Sequence, residues 1–282
     1  MQFRAFSRVL CALAIFTAAP VSAQPGEYLR FVDGSNEFEG ELQTAIVHFE
    51  NTEGMRVDLV AAVHLADPGY YQQLNALFAD MDAVLFELVV DTGQDNGSSR
   101  RAMSTLGVLQ TMISNFLGLA FQLEGIDYTA ANFVHADLTS DELQAVMAER
   151  NDSFMRTFMA LARATPQDPD PDSTGNSQTA GAMSILQALQ SDDSAAALKY
   201  LFAQELPRME SLDLAGQLEQ ELTILGARNA RAISVLNREL QEDGNSHIAL
   251  FYGAAHMPGL ARDLRAMGYE EISTRWLTAW AL

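Results

Sequence analysis

The chain is 282 residues long, and 48% of its residues are hydrophobic and 19% charged. These fractions are typical of globular domains and exclude a disordered chain, a collagen-like chain and a disulfide-rich scaffold. Because 37 Asp and Glu residues outnumber 17 Lys and Arg residues, the formal net charge is −20 at pH 7. A chain of this charge repels polyphosphate, so we expect no nucleic acid among its partners.

The first 23 residues have the pattern of a signal peptide. Arg4 and Arg8 form a basic start, a short apolar run follows, and Val21-Ser22-Ala23 has the small residues of a cleavage site. The apolar run is shorter than the roughly 20 residues that a membrane span needs. We therefore expect a periplasmic or secreted protein that is cut after residue 23 and is not stably inserted in a membrane.

Export predicts the mass of the processed chain. We expect intact-mass measurement of protein purified from the host cell envelope to find Gln24 as the first residue, free or cyclised to pyroglutamate, because signal peptidase would remove the residues before it. Envelope protein that still begins at Met1 would contradict this prediction.

The single cysteine, Cys11, lies within the predicted signal peptide. Residues 24–282 contain no cysteine, which excludes disulfides, thiolate catalysis and Cys-ligated zinc from the processed chain. Any metal site in that part of the chain must use His, Asp and Glu.

The first half of the predicted domain begins with strands and a helix. Residues 44–49 and 55–63 are predicted strands, and the turn-rich residues 51–54 between them indicate a hairpin. Apolar residues at helical spacing predict a helix over 68–81, and a continuous apolar run within 82–89 predicts a buried strand. A strand, a helix and a strand in this order indicate a parallel pair with a right-handed crossover.

The middle of the chain is predicted to be a helical insertion, at about 99–240, within a single domain of residues 24–282. Residues 101–123 form a long apolar-rich helix candidate, and residues 139–142 open another helix with a capping box. Residues 165–180 are rich in Pro, Asp, Ser and Thr, a composition that indicates a loop or a disordered insert.

The end of the chain repeats the pattern of its beginning. A strand is predicted over 247–252, a helix over 258–267 and a strand over 269–276. Both ends of the domain show an apolar strand, small residues, a histidine, a hydrophobic residue and a Pro-Gly pair that opens a helix. We therefore predict an α+β or α/β fold whose central mixed sheet is built from two strand-turn-helix units, one at each end of the chain.

Two histidines stand just past the strands of these units, His64 in the first and His256 in the last. Ligands of open α/β sheets bind at the carboxyl ends of the strands, so the two imidazoles converge if the units pack side by side. Glu87 ends an otherwise apolar strand, where an isolated charge would be costly to bury. Two imidazoles and one carboxylate suffice to bind a divalent transition metal such as Mn, Co or Zn with a position left for water.

Arg228 and Asn229 form a second group of candidate residues. On a helical wheel through residues 218–240, Asn229 falls within the apolar stripe and Arg228 at its edge. A buried amide needs hydrogen-bond partners, so we expect the pair to face the same crevice. There Arg228 would hold a substrate carboxylate or a developing oxyanion. The alternative is a helix salt bridge and packing pair.

In their order and spacing, these motifs resemble the TraB/GumN/TIKI family. Gly253 and His256 form the late Gly-x-x-His motif in full, and Ala61 stands where the family has the first glycine of the early motif. The family includes pheromone-shutdown proteins and metal-dependent proteases. The active-site set that the resemblance implies is His64, Glu87, Arg228, Asn229 and His256.

Three functions are consistent with these observations. The first is a metal-dependent hydrolase, foremost a peptidase, with metal-activated water as nucleophile and Arg228 stabilising charge. The second is a binding protein that sequesters a peptide, haem or a metal without turnover. The third is an esterase or lactonase for a small-molecule substrate, which would use the same scaffold and the same site as the first.

The three remaining histidines have other predicted roles. His48 lies within a strand and His247 precedes one, so both are predicted to be structural or surface residues. His135 and Asp137 are two positions apart on an extended segment and share a face. They are candidates for orienting the metal ligands through hydrogen bonds or for contacting the substrate.

Overall fold

The structure, a computed structural model, describes residues 27–89, 117–149, 187–191, 193–211, 223–242 and 245–282. The predicted signal peptide, the 165–180 segment and most of the predicted helix over 101–123 lie outside these residues. None of the described helices combines the length and the apolar character that crossing a membrane requires.

The described chain begins with four strands, after which helices and further strands are interspersed. The strands are β1 (Leu29–Asp33), β2 (Gly40–Glu50), β3 (Arg56–Ala62), β4 (Leu65–Ala66), β5 (Ala83–Phe86), β6 (Ala120–Phe121), β7 (Phe133–His135), β8 (His247–Gly253) and β9 (Glu270–Ala281). The helices are α1 (Pro68–Ala79), α2 (Gln122–Gly125), α3 (Ser140–Glu149), α4 (Ser194–Ser211), α5 (Thr223–Glu242) and α6 (Met257–Ala266), with a 3-10 turn at Ala254–His256.

Seven of these strands form one mixed sheet. Strands β3, β8, β5 and β7 lie side by side in that order and run parallel. Strand β2 is antiparallel to β1, β3 and β9. The prediction of a mixed α/β fold around a central mixed sheet is confirmed.

Helices cover both faces of the sheet, because successive side chains of β3 and β8 point to opposite faces and nearly all of them are buried. On one face α1 packs with its residues Tyr71, Leu74 and Phe78. On the other face the helices α5 and α6 contribute apolar side chains, among them Leu236 and Leu260. Because both faces are covered, β8 is buried along most of its length, which explains its continuous apolar sequence.

In the sheet, the strand of the last unit lies between the two strands of the first unit. Strand β8 pairs with β3 on one side and with β5 on the other. The predicted parallel pair of the first unit is therefore wrong in one respect, because β3 and β5 run parallel but are not neighbours. In the register, Gly253 at the end of β8 lies opposite Ala62. This places the last unit's turn between His64 and Glu87.

Residues 118–121 are not helical, contrary to the predicted helix over 101–123. Gly118 has a φ of +67°, a left-handed conformation that ends a helix and that glycine adopts without strain. Residues 120–121 then pair as β6 with β4, and a new helix begins at Gln122. The described part of the predicted helical insertion also holds β7, which is a strand of the central sheet.

Helix α3 begins with the capping box that the sequence predicts. The backbone N–H of Glu142 donates to Thr139 Oγ1 at 3.3 Å, and the Glu142 carboxylate accepts the backbone N–H of Thr139 at 2.9 Å. The same carboxylate pairs with Arg231 of α5. This contact joins α3 to the helix that carries Arg228 and Asn229.

Candidate active site

The candidate residues lie at one edge of the sheet. Four parallel strands end there, and polar side chains follow each of them closely in the chain. In the sheet order β3, β8, β5 and β7, these side chains are His64, His256, Glu87 and Asp137. Since the carboxyl ends of parallel strands form the ligand-binding edge of α/β folds, this edge is the candidate active site.

Arg228 of α5 binds two carboxylates at this edge. Its Nε donates to Asp137 Oδ1 at 2.8 Å, and one terminal nitrogen donates to Asp137 Oδ2 at 2.5 Å and to Glu87 Oε1 at 2.7 Å. The side chains of Arg228 and Glu87 are each 13% exposed, and that of Asp137 is 0% exposed. The three charges are therefore largely removed from water and depend on one another.

The surroundings of Glu87 keep its carboxyl group ionised. Burial by itself raises the pKa of Glu87, but the His256 ring, the Arg228 guanidinium and the backbone N–H of Gly253 together lower the pKa well below its usual range. The Gly253 N–H donates to Glu87 Oε2 at 2.7 Å. A Cβ atom at residue 253 would lie 3.3 Å from that oxygen, which is why a residue without a side chain suits this position.

The guanidinium is held in its charged form in the same way. Burial lowers the pKa of Arg228, but Asp137 and Glu87 raise it well above its usual range. With both carboxylates ionised, the three side chains carry a net charge of −1. The Nε2 atom of His256 lies beside this network, 3.5 Å from Glu87 Oε1.

The lowered pKa of Glu87 predicts how stability depends on pH. A carboxyl group whose pKa is lower in the folded than in the unfolded protein stabilises the fold above the unfolded value, about 4.3 for Glu. This contribution is lost as the pH falls through the folded value. Between about pH 5 and pH 3 we expect the free energy of unfolding to fall more steeply in the parent than in Glu87→Gln. Urea denaturation at each pH measures the free energy of unfolding. An equal dependence of this free energy on pH in the two proteins would contradict the prediction.

Asn229 orients the ring of His256. The Nδ1 atom of His256 lies 2.6 Å from Asn229 Oδ1, and since an amide oxygen only accepts, Nδ1 carries the hydrogen. Both residues are buried, at 3% and 1% exposure. This hydrogen bond leaves Nε2 as the ring atom that faces Glu87. The predicted place of Asn229 in the apolar stripe of its helix is explained by this buried contact.

Gln122 holds the ring of His64 in the same manner. The Nδ1 atom of His64 lies 3.2 Å from Gln122 Oε1, and the backbone carbonyl of His64 accepts the N–H of Gln122 at 3.0 Å. His64 is exposed, whereas His256 is buried. In both strand-turn-helix units, an amide oxygen thus binds Nδ1 of the histidine and leaves Nε2 for another partner.

The structure connects four of the five predicted site residues through direct contacts. Glu87 contacts Arg228 and His256, and His256 contacts Asn229. The ring of His64 lies at the same edge of the sheet but binds Gln122 instead. Sequence reasoning missed Gln122, because within a segment read as a long helix nothing distinguishes it from the other polar residues.

Asp137 is the acidic residue that sequence reasoning left without a definite role. It forms the two-point contact with Arg228 across 91 positions of sequence. The clue in the sequence is its place two residues after an extended segment, since the same spacing from a strand marks His64. His135 contacts the two residues that flank Glu87 in the chain. Its Nε2 lies 2.6 Å from the backbone carbonyl of Leu88, and its ring packs on Phe86.

The two histidines predicted to be structural lie at the other end of the parallel strands. His48 Nδ1 lies 2.7 Å from one carboxylate oxygen of Asp58, and His247 Nε2 lies 3.1 Å from the other. Asp58 is 1% exposed, so the two rings supply the partners that a buried carboxylate needs. Neither ring takes part in the candidate active site.

The donors at the sheet edge are of the type that a divalent transition metal prefers. His256 Nε2 and Glu87 Oε1 are 3.5 Å apart, close to the separation of about 3.4 Å between two ligands of one tetrahedral zinc ion. Histidines that bind metals are held through their other ring nitrogen, as His256 is here. In the part of the chain that the structure describes, no group of three or more His, Cys, Asp or Glu residues is arranged to hold a metal ion. The geometry thus places two donor atoms of this type next to each other.

Comparisons of the chain with protein-family models, with characterised proteins and with solved structures found no match. The resemblance of the motifs to the TraB/GumN/TIKI family therefore stays a prediction. The contacts among Glu87, Arg228, Asp137, His256 and Asn229 are the observations from which a function can be inferred.

Proposed function

We propose that the protein is a periplasmic or secreted metal-dependent hydrolase that cleaves peptide bonds at the carboxyl edge of the sheet. The observation that carries this proposal is the buried network in which Arg228 joins Glu87 to Asp137 while His256 turns Nε2 toward Glu87. Buried charges are costly to retain, and strongly shifted pKa values in a crevice are typical of functional sites. The predicted signal peptide and the family resemblance support the location and the substrate class.

Glu87 and His256 would hold the metal, with His64 as the candidate for a third ligand. When bound there, a divalent cation supplies a more acidic water molecule and polarises the substrate carbonyl group. The net charge of −1 on Glu87, Asp137 and Arg228 favours the binding of a cation beside His256 Nε2. His64 lies at the same edge of the sheet and is exposed to solvent.

The remaining residues keep these groups in place. Asn229 holds the hydrogen of His256 on Nδ1, so that Nε2 presents a lone pair. Gly253 and Arg228 each donate to a different oxygen of Glu87, which prevents rotation of the carboxylate. Because two protein carboxylates bind Arg228, we assign to it the positioning of Glu87 and the compensation of charge, in place of binding a substrate carboxylate.

The experiment that tests this function starts from the processed chain, residues 24–282, stripped of metal with a chelator. The protein is reloaded separately with Mn²⁺, Co²⁺ and Zn²⁺, its metal content is measured by elemental analysis, and each form is incubated with a peptide library. We expect one equivalent of metal and many product molecules per protein molecule. Stoichiometric peptide binding without cleavage would overturn the proposal in favour of a sequestering protein. Cleavage of small esters alone would refute the proposal that the substrate is a peptide.

A further inference from the structure

Tyr128 extends the hydrogen-bonded row that begins at His64. Gln122 Nε2 donates to Tyr128 Oη at 2.9 Å, while Gln122 Oε1 binds His64 Nδ1. Since an amide NH₂ group only donates, Tyr128 is the acceptor in this bond and retains its own hydroxyl hydrogen. The described residues provide no acceptor for that hydrogen.

The packing of Tyr128 fixes the position of its hydroxyl group. Its ring centroid lies 5.0 Å from that of Phe86 and 5.8 Å from that of Phe133. Phe86 is the last residue of β5 and directly precedes Glu87, so the packing ties Tyr128 to the strand that carries the carboxylate. The position of the hydroxyl group is thus fixed by the packing of its ring on Phe86 and by the hydrogen bond from Gln122, which also binds His64.

The electrostatic surroundings keep the phenol protonated. Burial raises the pKa of Tyr128, the hydrogen bond from Gln122 lowers it, and the negative charge of Glu87 raises it further. The influence of Glu87 is consistent with a hydroxyl group that lies near this carboxylate. A neutral O–H donor beside a charged network is suited to bind an oxygen on which negative charge develops.

We propose that Tyr128 donates its hydroxyl hydrogen to the carbonyl oxygen of the scissile bond, and that Gln122 positions both Tyr128 and His64 for this reaction. This inference rests on the hydrolase function proposed above. When water adds to the carbonyl carbon, the new C–O bond forms and the π electron pair moves to the carbonyl oxygen, where the Tyr128 O–H would stabilise it. The electron pair then re-forms the carbonyl, the C–N bond breaks, and the amine leaves with a proton from the water.

The variant Tyr128→Phe removes the hydroxyl group and keeps the ring that packs on Phe86. Oxyanion donors typically contribute a factor of about 10² to 10³ to kcat. We therefore expect kcat on the best library peptide to fall by about a hundredfold with little change in KM. The matched control is Tyr200→Phe, which removes a hydroxyl bonded to Asp33 on the surface and should keep the parent's kcat. Parent-like kcat in Tyr128→Phe would overturn the inference while the proposed function stands.

The role of Gln122 is tested without turnover. In protein labelled with ¹⁵N-histidine, ring nitrogen shifts show which nitrogen of each imidazole carries the hydrogen. We expect Gln122→Met, which keeps the side-chain volume, to reduce the Nδ1–H form of His64 and to leave His256 unchanged. An unchanged His64 ring would overturn this role of Gln122. A parent protein that hydrolyses no library member would overturn the proposed function and with it the role of Tyr128, whereas the His64 measurement still decides whether Gln122 positions the ring.

Discussion

Replacing Arg228 with alanine should lower the free energy of unfolding by about 3–5 kcal/mol at pH 7, the range typical of removing one partner from a buried ion pair. The variant leaves the carboxylates of Glu87 and Asp137 close together in a buried position without their shared counter-ion. Urea denaturation followed by circular dichroism measures the change. Replacement by lysine should give a smaller loss, because lysine restores the charge but not the two-point contact with Asp137.

The control for this prediction lies one turn further along the same helix. Arg231 pairs with Glu142, but their side chains are 37% and 43% exposed. Exposed ion pairs contribute little, so Arg231→Ala should cost less than about 1 kcal/mol. If the two alanine variants lose the same stability, the Arg228 network is not the buried, interdependent cluster that its geometry indicates.

Replacing His256 with alanine should abolish tight binding of a divalent cation. The variant removes Nε2, the proposed ligand atom, and we expect the dissociation constant to rise by more than about a hundredfold, beyond the 10- to 100-fold typical of losing a residue that supports a ligand. Asn229→Ala should fall within that smaller range, because it loosens the ring and keeps the ligand atom. Glu87→Gln should also weaken binding, because it keeps the side-chain shape and loses the charge. Titration calorimetry of the metal-free protein with Zn²⁺ and Mn²⁺ measures all three.

His48→Ala is the matched control for the metal experiment. It removes the same type of side chain from a site at the opposite end of the strands, where the ring binds Asp58. Cation binding should therefore match that of the parent. His64→Ala separates two arrangements, since weaker binding identifies His64 as the third ligand and unchanged binding limits the ligands to Glu87 and His256. Parent-like binding by His256→Ala would refute the proposed metal site.

The positions of the main site residues along the chain follow from local sequence. The apolar runs that end just before His64, Glu87 and His256 predict strands, and the structure ends β3, β5 and β8 within three residues of these side chains. The capping box of α3 was equally predictable, because its two residues are three positions apart and contact each other directly. Such features depend on backbone periodicity and on neighbours within one turn, which a single sequence displays.

The arrangement of these elements in space depends on contacts that local patterns do not encode. The placement of β8 between β3 and β5 follows from pairing of segments that are far apart in the chain, and it brings Gly253 against Glu87. The contact of Arg228 with Asp137 spans 91 positions, and that of His64 with Gln122 spans 58. The sequence alone predicted the strands β2, β3, β5, β8 and β9, the helices α1, α3, α5 and α6, and the polar residues that follow β3, β5 and β8, but not the strands β1, β4, β6 and β7. Only the tertiary structure decided which of those residues share hydrogen bonds, because a buried polar group takes the partner that the chain path brings within about 3 Å.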